Sequence, residues 1–365
     1  MSTARIPFGS PAPREDADAI RAAITRVVDS GWYVLGPEVS AFEAEFAAAI
    51  GTRHAVGVGT GTDAIALILR GLDIGPGDEV ITTPLSAAYS ALAIIMAGAR
   101  PVFADIDPDR HTLDAAAVER AITPRTRAIL PVHLYGQAAD MDALMAVAAR
   151  HNLAVVEDAC QAHLATAAGR PVGTIGVAGA FSFYPTKNLG ALGDGGAIVT
   201  SDSALAERLK RLRNGGQTTR YHHLEAGINS RLDEMQAAIL RARLPYLAGW
   251  TATRRALAGR YRQQLASASI RVPREFDAGH VYHLFIIRTR HRAALQAHLA
   301  ADGIETLVHY PVPIPGQPAL AAHNPVDCPE GNRACDEVLS LPLHPGLAPA
   351  DIDAVAASVC AFHEE

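Results

Sequence analysis

The sequence predicts an α/β protein in which a large domain on a mostly parallel sheet is followed by a smaller α+β domain. Three observations carry that prediction. Short apolar runs alternate with helical periodicity through most of the first 240 residues. The pattern changes near Pro245, and 365 residues exceed the usual size of one domain. The expected division is 1–245 for the large domain and 246–365 for the small one.

In chain order, helices are expected over Ala17–Ser30 and Glu38–Ile50, the second with Phe42 and Phe46 four residues apart on one face. Strands are expected at His54–Val58, Glu79–Thr83, Pro101–Asp105, Ala128–His133, Leu153–Glu157, Ala180–Tyr184 and Gly196–Thr200. Between them fall helices near Asp63–Arg70, Ala87–Ala97, Asp114–Ala121 and Met141–Arg150, punctuated by turns at Gly75–Gly77 and Thr123–Arg125. The uncharged stretch Val80–Ala99 contains Pro84 and several hydroxyl residues, so it reads as a buried strand and helix rather than a membrane span. The small domain is expected to hold a helix over Tyr246–Ser267, a strand over Val281–Thr289, a helix over His291–Ala301, a strand over Thr306–Tyr310 and a final helix over Ala350–Phe362.

The formal net charge of −6 and a pI near 6.2 argue against general affinity for nucleic acid or an anionic membrane. The four cysteines, Cys160, Cys328, Cys335 and Cys360, lack the paired spacing of a zinc or redox motif, and no metal site is expected. They read as reduced packing residues, and with an N-terminus that lacks a signal-peptide core the expected location is cytoplasmic.

Of 32 basic side chains only Lys187 and Lys210 are lysine. Arginine replaces lysine on a solvated surface but cannot supply an amine that loses its proton. Lys210 sits in the amphipathic stretch Glu207–Arg213 and reads as a solvated helix charge. Lys187 lies within Gly173–Ser201, where Asp194 is the only other charge, which marks it for a lowered pKa and imine formation with a carbonyl. Asp194, inside Gly193–Gly196, reads as a turn residue.

Asp158 ends the run Leu153–Asp158, 29 residues before Lys187, and the C-terminal ends of parallel strands are where ligands of α/β proteins collect. A lysine for the imine and an acid for the pyridine nitrogen are what pyridoxal phosphate requires, and Gln161 is placed to donate to a ring oxygen. The phosphate finds a cup in Gly57–Ala64, where a strand passes into a helix and the hydroxyls of Thr60 and Thr62 join the backbone amides. Ser182, five residues before Lys187, can reach the same phosphate. Gly59–Ala64 also fits a loose dinucleotide fingerprint, but the acidic residue such a site needs at the end of the next strand is absent, since Asp78 and Glu79 precede that strand.

At these residues the chain resembles the DegT/DnrJ/EryC1/StrS sugar aminotransferases, pyridoxal-phosphate enzymes of the aspartate-aminotransferase-like fold (fold type I). The matching stretches are VVEDACQAH at 155–163, FSFYPTKNLG at 181–190, GDGGAIVT at 193–200 and NSRLDEMQAAIL at 229–240. Looser matches are LGPEV at 35–39, GPGDEVI at 75–81, PVHLYGQ at 131–137 and HYPVP at 309–313.

The resemblance implies that Lys187 is the Schiff-base lysine and proton shuttle, Asp158 the pyridinium partner and Gln161 the neighbour of the ring hydroxyl. It implies phosphate binding by Gly61, Thr62, Asp63 and Ser182, and by Asn229 across a homodimer interface. Tyr221, His222, His309 and Tyr310 fall in stretches that lie near the substrate in the family, or are surface and packing residues. The implied substrates are an amino-acid donor, glutamate or glutamine, and a nucleotide-linked keto-sugar. The GDGG and YPTKN variants resemble members acting at C3 of dTDP-linked 3-keto-6-deoxyhexoses; the alternatives are a C4 enzyme, another pyridoxal-phosphate enzyme on a keto-sugar nucleotide, or a catalytically silent sensing protein. Two departures stand out. The loop Pro84–Ser90 puts Ala88 where a flat residue usually covers the ring, with Tyr89 one place later, and Leu164 stands where the family usually has glycine.

Overall fold

The structure, a computed structural model, describes residues 5–266, 268–323 and 327–363. Seven strands form the central sheet: β1 (His54–Val58), β2 (Glu79–Thr82), β3 (Arg100–Phe103), β4 (Thr126–Leu130), β5 (Ala154–Asp158), β6 (Ala178–Ser182) and β7 (Gly196–Thr200). Their spatial order is β1-β7-β6-β5-β4-β2-β3. Every neighbouring pair is parallel except those of β7, which runs antiparallel to β1 and β6. β1 and β7 have the bounds the sequence predicts. β4 stops earlier than predicted, at Leu130, because Pro131 has no amide for the ladder. β6 stops at Ser182 because Phe183 onward enters the turn that carries Lys187.

The helices of this part are α1 (Ala17–Ser30), α2 (Pro37–Ile50), α3 (Gly61–Gly71), α4 (Tyr89–Met96), α5 (Ala115–Ala121), α6 (Met141–His151), α7 (Ser203–Leu212) and α8 (Glu234–Arg243). Side-chain oxygens of Thr60, Asp114, Asp140 and Asp202 accept from the first free amides of α3, α5, α6 and α7, which fixes where those helices start. Gly31 and Gly51, at φ 63° and 80°, end α1 and α2 in the left-handed conformation.

Because successive strand residues face opposite ways, one run of apolar residues feeds two cores. Ile81, Ile129, Val155, Phe181 and Val199 face a core shared with α2, α5, α6 and α8. Val80, Leu130, Val156, Ala180 and Ile198 face the other, filled by α3, α4 and α7. Phe42 and Phe46 stack at 5.4 Å and meet Phe181 and Phe183 edge-on, so the predicted apolar face of α2 closes the first core. The fully buried Glu157 is satisfied by four donors: Gly173, Ile175 and Gly176 amides at 2.7 Å and His133 Nε2 at 2.9 Å. The Ala139 amide donates to His133 Nδ1, so Nε2 carries the ring proton.

The remaining elements are α9 (Leu247–Gln264), β8 (Phe285–Arg288), α10 (Arg292–Ala301), α11 (Pro329–Glu337), β9 (Val338–Leu341) and α12 (Pro349–Ala361), with β8 antiparallel to β9. The helix expected over Tyr246–Ser267 ends at Gln264; Ser267 itself lies outside the described residues. The strand expected over Val281–Thr289 begins only at Phe285. Before it, Tyr282 has φ 47°, and the amides of Val281 and Leu284 donate to the carbonyls of Gly136 and Tyr135. Thr306–Tyr310 is not a strand: Leu307 alone bridges Ser340, and Glu305 donates to Ile6. Sequence reading missed α11 and β9. Ile6 is buried with Leu257, Tyr261, Phe285 and Leu339, so residues at the start of the described chain pack against elements from its end. Leu164 adopts φ 63°, so the loop follows a path suited to glycine despite the leucine, at a cost of about 1–2 kcal/mol.

Three buried histidines, His111, His163 and His280, are each held neutral by burial, with pKa values lowered to about 3. Unfolded, each takes a proton near pH ~6.5. Between that pH and about 3 the unfolded chain binds more protons, so stability is lost as pH falls through the window. The expected slope is about 1.4 kcal/mol per pH unit for each histidine. Urea midpoints measured at a series of pH values from neutral downward should fall steadily; a flat series would contradict this.

Candidate active site

The C-terminal ends of β5 and β6, the N-terminus of α3 and the turn 183–190 converge on one point. α3 reaches it because two positions lack a Cβ. A Cβ on Gly61 would lie 2.6 Å from Cys160 Sγ and 2.8 Å from Ser182 Cβ; one on Gly196 would lie 2.4 Å from the Thr60 carbonyl carbon. The helix therefore seats its first turn directly on β6 and β7. Thr60 Oγ1 accepts from the Asp63 amide at 3.0 Å, leaving the Gly61 and Thr62 amides as the open donors of the helix start. Ser182 stands against Gly61, and its Oγ accepts from the Tyr184 amide at 3.3 Å.

Asp158 is 5% exposed. Ser90 Oγ donates to its Oδ2 at 2.7 Å and the Cys160 amide to its Oδ1 at 3.1 Å. Gln161 Oε1 accepts from the Tyr135 amide at 2.8 Å, and its Nε2 donates to Tyr310 Oη at 3.0 Å. Tyr135 itself sits at φ 60° and donates through Oη to the His309 carbonyl.

The Lys187 amide donates to the Tyr184 carbonyl at 2.8 Å, closing the turn that presents its side chain. Burial holds its amine below the ordinary lysine range, against the opposing effects of Cys160 and Asp158. Asn188 Nδ2 donates to the Val281 carbonyl, so its Oδ1 accepts from His283 Nδ1 at 3.2 Å. Burial, and then the charge of Lys187, push His283 well below its usual pKa, and His309 is lowered to about 4 for the same reasons. A cavity of about 360 Å³ opens beside Lys187, lined also by Phe8, Asn188, His283 and His309.

Lys187, Asp158, Gln161, Gly61, Thr62 and Ser182 thus share one region, with His309 and Tyr310 beside it. The other predicted residues are placed differently. Asp63 turns its carboxylate to Ser230 Oγ at 2.8 Å, and Ser230 in turn accepts from the Gly59 amide at 2.9 Å. This turns its negative charge toward a hydroxyl donor. Asn229 is exposed beside Ser230, and Tyr221 and His222 are exposed on a hairpin that does not line the cavity. Tyr89 opens α4 and is 64% exposed, whereas Ser90, the next residue, turns inward. Ser90, His283 and Arg254, another residue of the cavity wall, escaped sequence reading because each joins the site from far along the chain. No group of His, Cys, Asp and Glu among the described residues could hold a metal ion, and none of their helices is long and apolar enough to cross a membrane.

Together the sheet and the half-buried lysine near a strand-end carboxylate have the form of an aminotransferase of the aspartate-aminotransferase type. The family model of the DegT/DnrJ/EryC1/StrS aminotransferase family matches residues 14–360, and the chain belongs to that family. It is 54% identical over 330 residues to the dTDP-3-amino-3,4,6-trideoxy-alpha-D-glucose transaminase of Streptomyces venezuelae, covering 89% of this chain and 87% of that one. It is 49% identical to the erythromycin biosynthesis sensory transduction protein EryC1 of Saccharopolyspora erythraea, covering 95% of each. Among solved structures, S. venezuelae DesV in complex with a ketimine intermediate superposes with a TM-score of 0.95 at 51% identity, covering 99% of this chain and 100% of that one.

Gly61→Ala should lower the thermal midpoint, by an amount equivalent to about 1–3 kcal/mol, because the methyl has no room between Cys160 and Ser182. An unchanged midpoint would mean that α3 is not seated as described.

Proposed function

We propose that this aminotransferase uses pyridoxal phosphate to pass an amino group from glutamate or glutamine to a nucleotide-linked keto-sugar. We place the new amine at C3 of a dTDP-3-keto-6-deoxyhexose, in a cytoplasmic homodimer. The observation that carries the cofactor is the pairing of a lysine whose amine burial holds below its ordinary pKa with a buried carboxylate that accepts from Ser90 Oγ and the Cys160 amide. The sugar class is supported by the name of the S. venezuelae relative. The exposed aromatics Trp32, Tyr33, Tyr184 and Tyr221 support a surface covered by a second subunit.

The residues present fit the cofactor. Gly61 and Thr62 would hold its phosphate with the open amides of α3, and Ser182 would add a hydroxyl. Asp158 would keep a proton on the pyridine nitrogen, its two oxygens already fixed by Ser90 and Cys160. One amide proton of Gln161 is committed to Tyr310, which leaves the other for the ring hydroxyl. Bound there, pyridoxal phosphate supplies a carbonyl carbon for the amine and an electron-withdrawing ring. Lys187, whose amine burial pushes toward its neutral form, would take up and return the proton at Nζ. Asn229 would reach the phosphate of the other subunit, consistent with its exposure here. Tyr221 and His222 would meet the substrate from that subunit, while His309 and Tyr310 would do so within one chain.

Lys187→Arg should keep the fold yet lose the yellow absorption of the cofactor-loaded protein, with turnover down about 10²–10⁴-fold, since guanidinium cannot give up its proton. Normal colour and turnover in that variant would remove Lys187 from its role. The function itself is tested by offering glutamate with a panel of nucleotide-linked 3-keto and 4-keto sugars. An amine at C3, located by NMR, is expected; amination only of 4-keto sugars, or of none, would overturn the assignment.

A further inference from the structure

The segment just before β8 is held by backbone bonds to distant residues instead of a strand ladder. Tyr282 sits at φ 47°, and the Val281 and Leu284 amides donate to the Gly136 and Tyr135 carbonyls. Arg254 Nη1 donates to the carbonyls of Tyr282 and His283 at 3.3 Å each. These bonds set His283, 7% exposed, against Asn188, the residue after Lys187.

The bond directions in that contact are fixed. Asn188 donates through Nδ2 to the Val281 carbonyl at 3.2 Å, and the atom that faces His283 Nδ1 is its Oδ1, which can only accept. Nδ1 therefore carries the ring proton. Burial, and then the charges of Lys187 and Arg254 with His309 and His163 nearby, push the ring toward its neutral form. A neutral imidazole with its proton on Nδ1 presents a lone pair at Nε2. That lone pair has no partner among the described residues, and His283 lines the same cavity as Lys187.

Lys187 has the complementary need. Its Nζ sits on a flexible four-carbon stem and has no hydrogen-bond partner among the described residues. Asp158, within its field, already accepts from Ser90 Oγ and the Cys160 amide. Asn188 is engaged by Val281 and His283. An amine that takes up and returns a proton works fastest when it is held close to one place.

We propose that His283 is a positioning residue whose Nε2 lone pair accepts from Lys187 Nζ whenever that amine is not joined to the cofactor, with Asn188 fixing the tautomer. The proposal rests on the transaminase reading above and assigns Lys187 its resting partner. No proton passes to the ring; the amine turns from His283 toward the reacting atoms and back.

With only two lysines in the chain, the contact can be observed directly. Full-length protein carrying isotope-labelled lysine, loaded with pyridoxamine phosphate so that Lys187 is a free amine, gives one Cε signal in NMR for each lysine. His283→Phe should lower the pH at which the Lys187 signal titrates by about one unit, because a hydrogen bond to a charged form favours that form. His283→Gln, which returns an acceptor near the place of Nε2, should restore most of that shift, and the Lys210 signal should not move in either variant. A single turnover with the keto-sugar should slow about tenfold in His283→Phe, with the half-saturating sugar concentration within about twofold of wild type. Phenylalanine leaves Asn188 Oδ1 without its donor, so wild type carries the test if that variant does not fold. Its histidine nitrogen spectrum, with His283 assigned against His283→Gln, should show an unprotonated Nε2 whose signal moves as Lys187 titrates. An unshifted Lys187 titration in His283→Phe, or a protonated Nε2 in wild type, would overturn the proposal. So would a rise confined to the half-saturating sugar concentration, which would give His283 to the substrate. If loaded wild type transfers no amine at all, the transaminase reading fails, while the lysine signal still decides whether His283 holds the amine.

Discussion

The site depends on how closely α3 can approach the sheet. Gly61 and Gly196 leave room for the helix start where any Cβ would strike Ser182, Cys160 or the Thr60 carbonyl. With the first turn seated there, the open amides of α3 face the ends of β5 and β6, where Asp158 and Ser182 stand. A helix displaced outward by one methyl group would separate the anion-binding end from the lysine and the carboxylate together. The remaining geometry is built around that contact.

The site sets hydrogen-bonded carboxylates beside amine and imidazole groups that burial pushes toward their neutral forms. Asp158 accepts two hydrogen bonds, and Glu157, the preceding residue on the opposite face of β5, accepts four. Lys187, His283 and His309 move the other way, each pushed toward its neutral form by burial. An amine pushed toward its neutral form beside a hydrogen-bonded carboxylate suits the movement of protons. The histidines can add hydrogen bonds around it without adding charge.

Residues after α9 take part in this arrangement. Gln161 bonds both the Tyr135 amide and Tyr310, Tyr135 holds the His309 carbonyl, and Asn188 beside Lys187 holds His283. Residues at the start of the chain close the far side, with Phe8 stacked on His309 at 5.6 Å. Residues around Lys187 and Gln161 are thus coupled to His283, His309 and Tyr310 through hydrogen bonds that cross between the halves of the chain.

Sequence by itself determined the alternating strands and helices of the large part, the family, and the group Lys187, Asp158, Gln161, Gly61, Thr62 and Ser182. Those residues lie in short segments where local spacing and chemistry carry the signal: a lone lysine in an apolar stretch, a carboxylate at a strand end, a glycine-rich turn into a helix. Val281–Leu284 and Thr306–Tyr310 do not continue as strands, because Val281 and Leu284 donate to the backbone of Gly136 and Tyr135 and Leu307 alone bridges β9. Only tertiary structure decided that Asp63 turns to Ser230 and that Tyr89 faces outward while Ser90 grips Asp158. It alone brought Arg254 and His344 to the cavity of Lys187. Such contacts join residues tens to hundreds of positions apart, and no local periodicity records which distant partner satisfies a buried polar group.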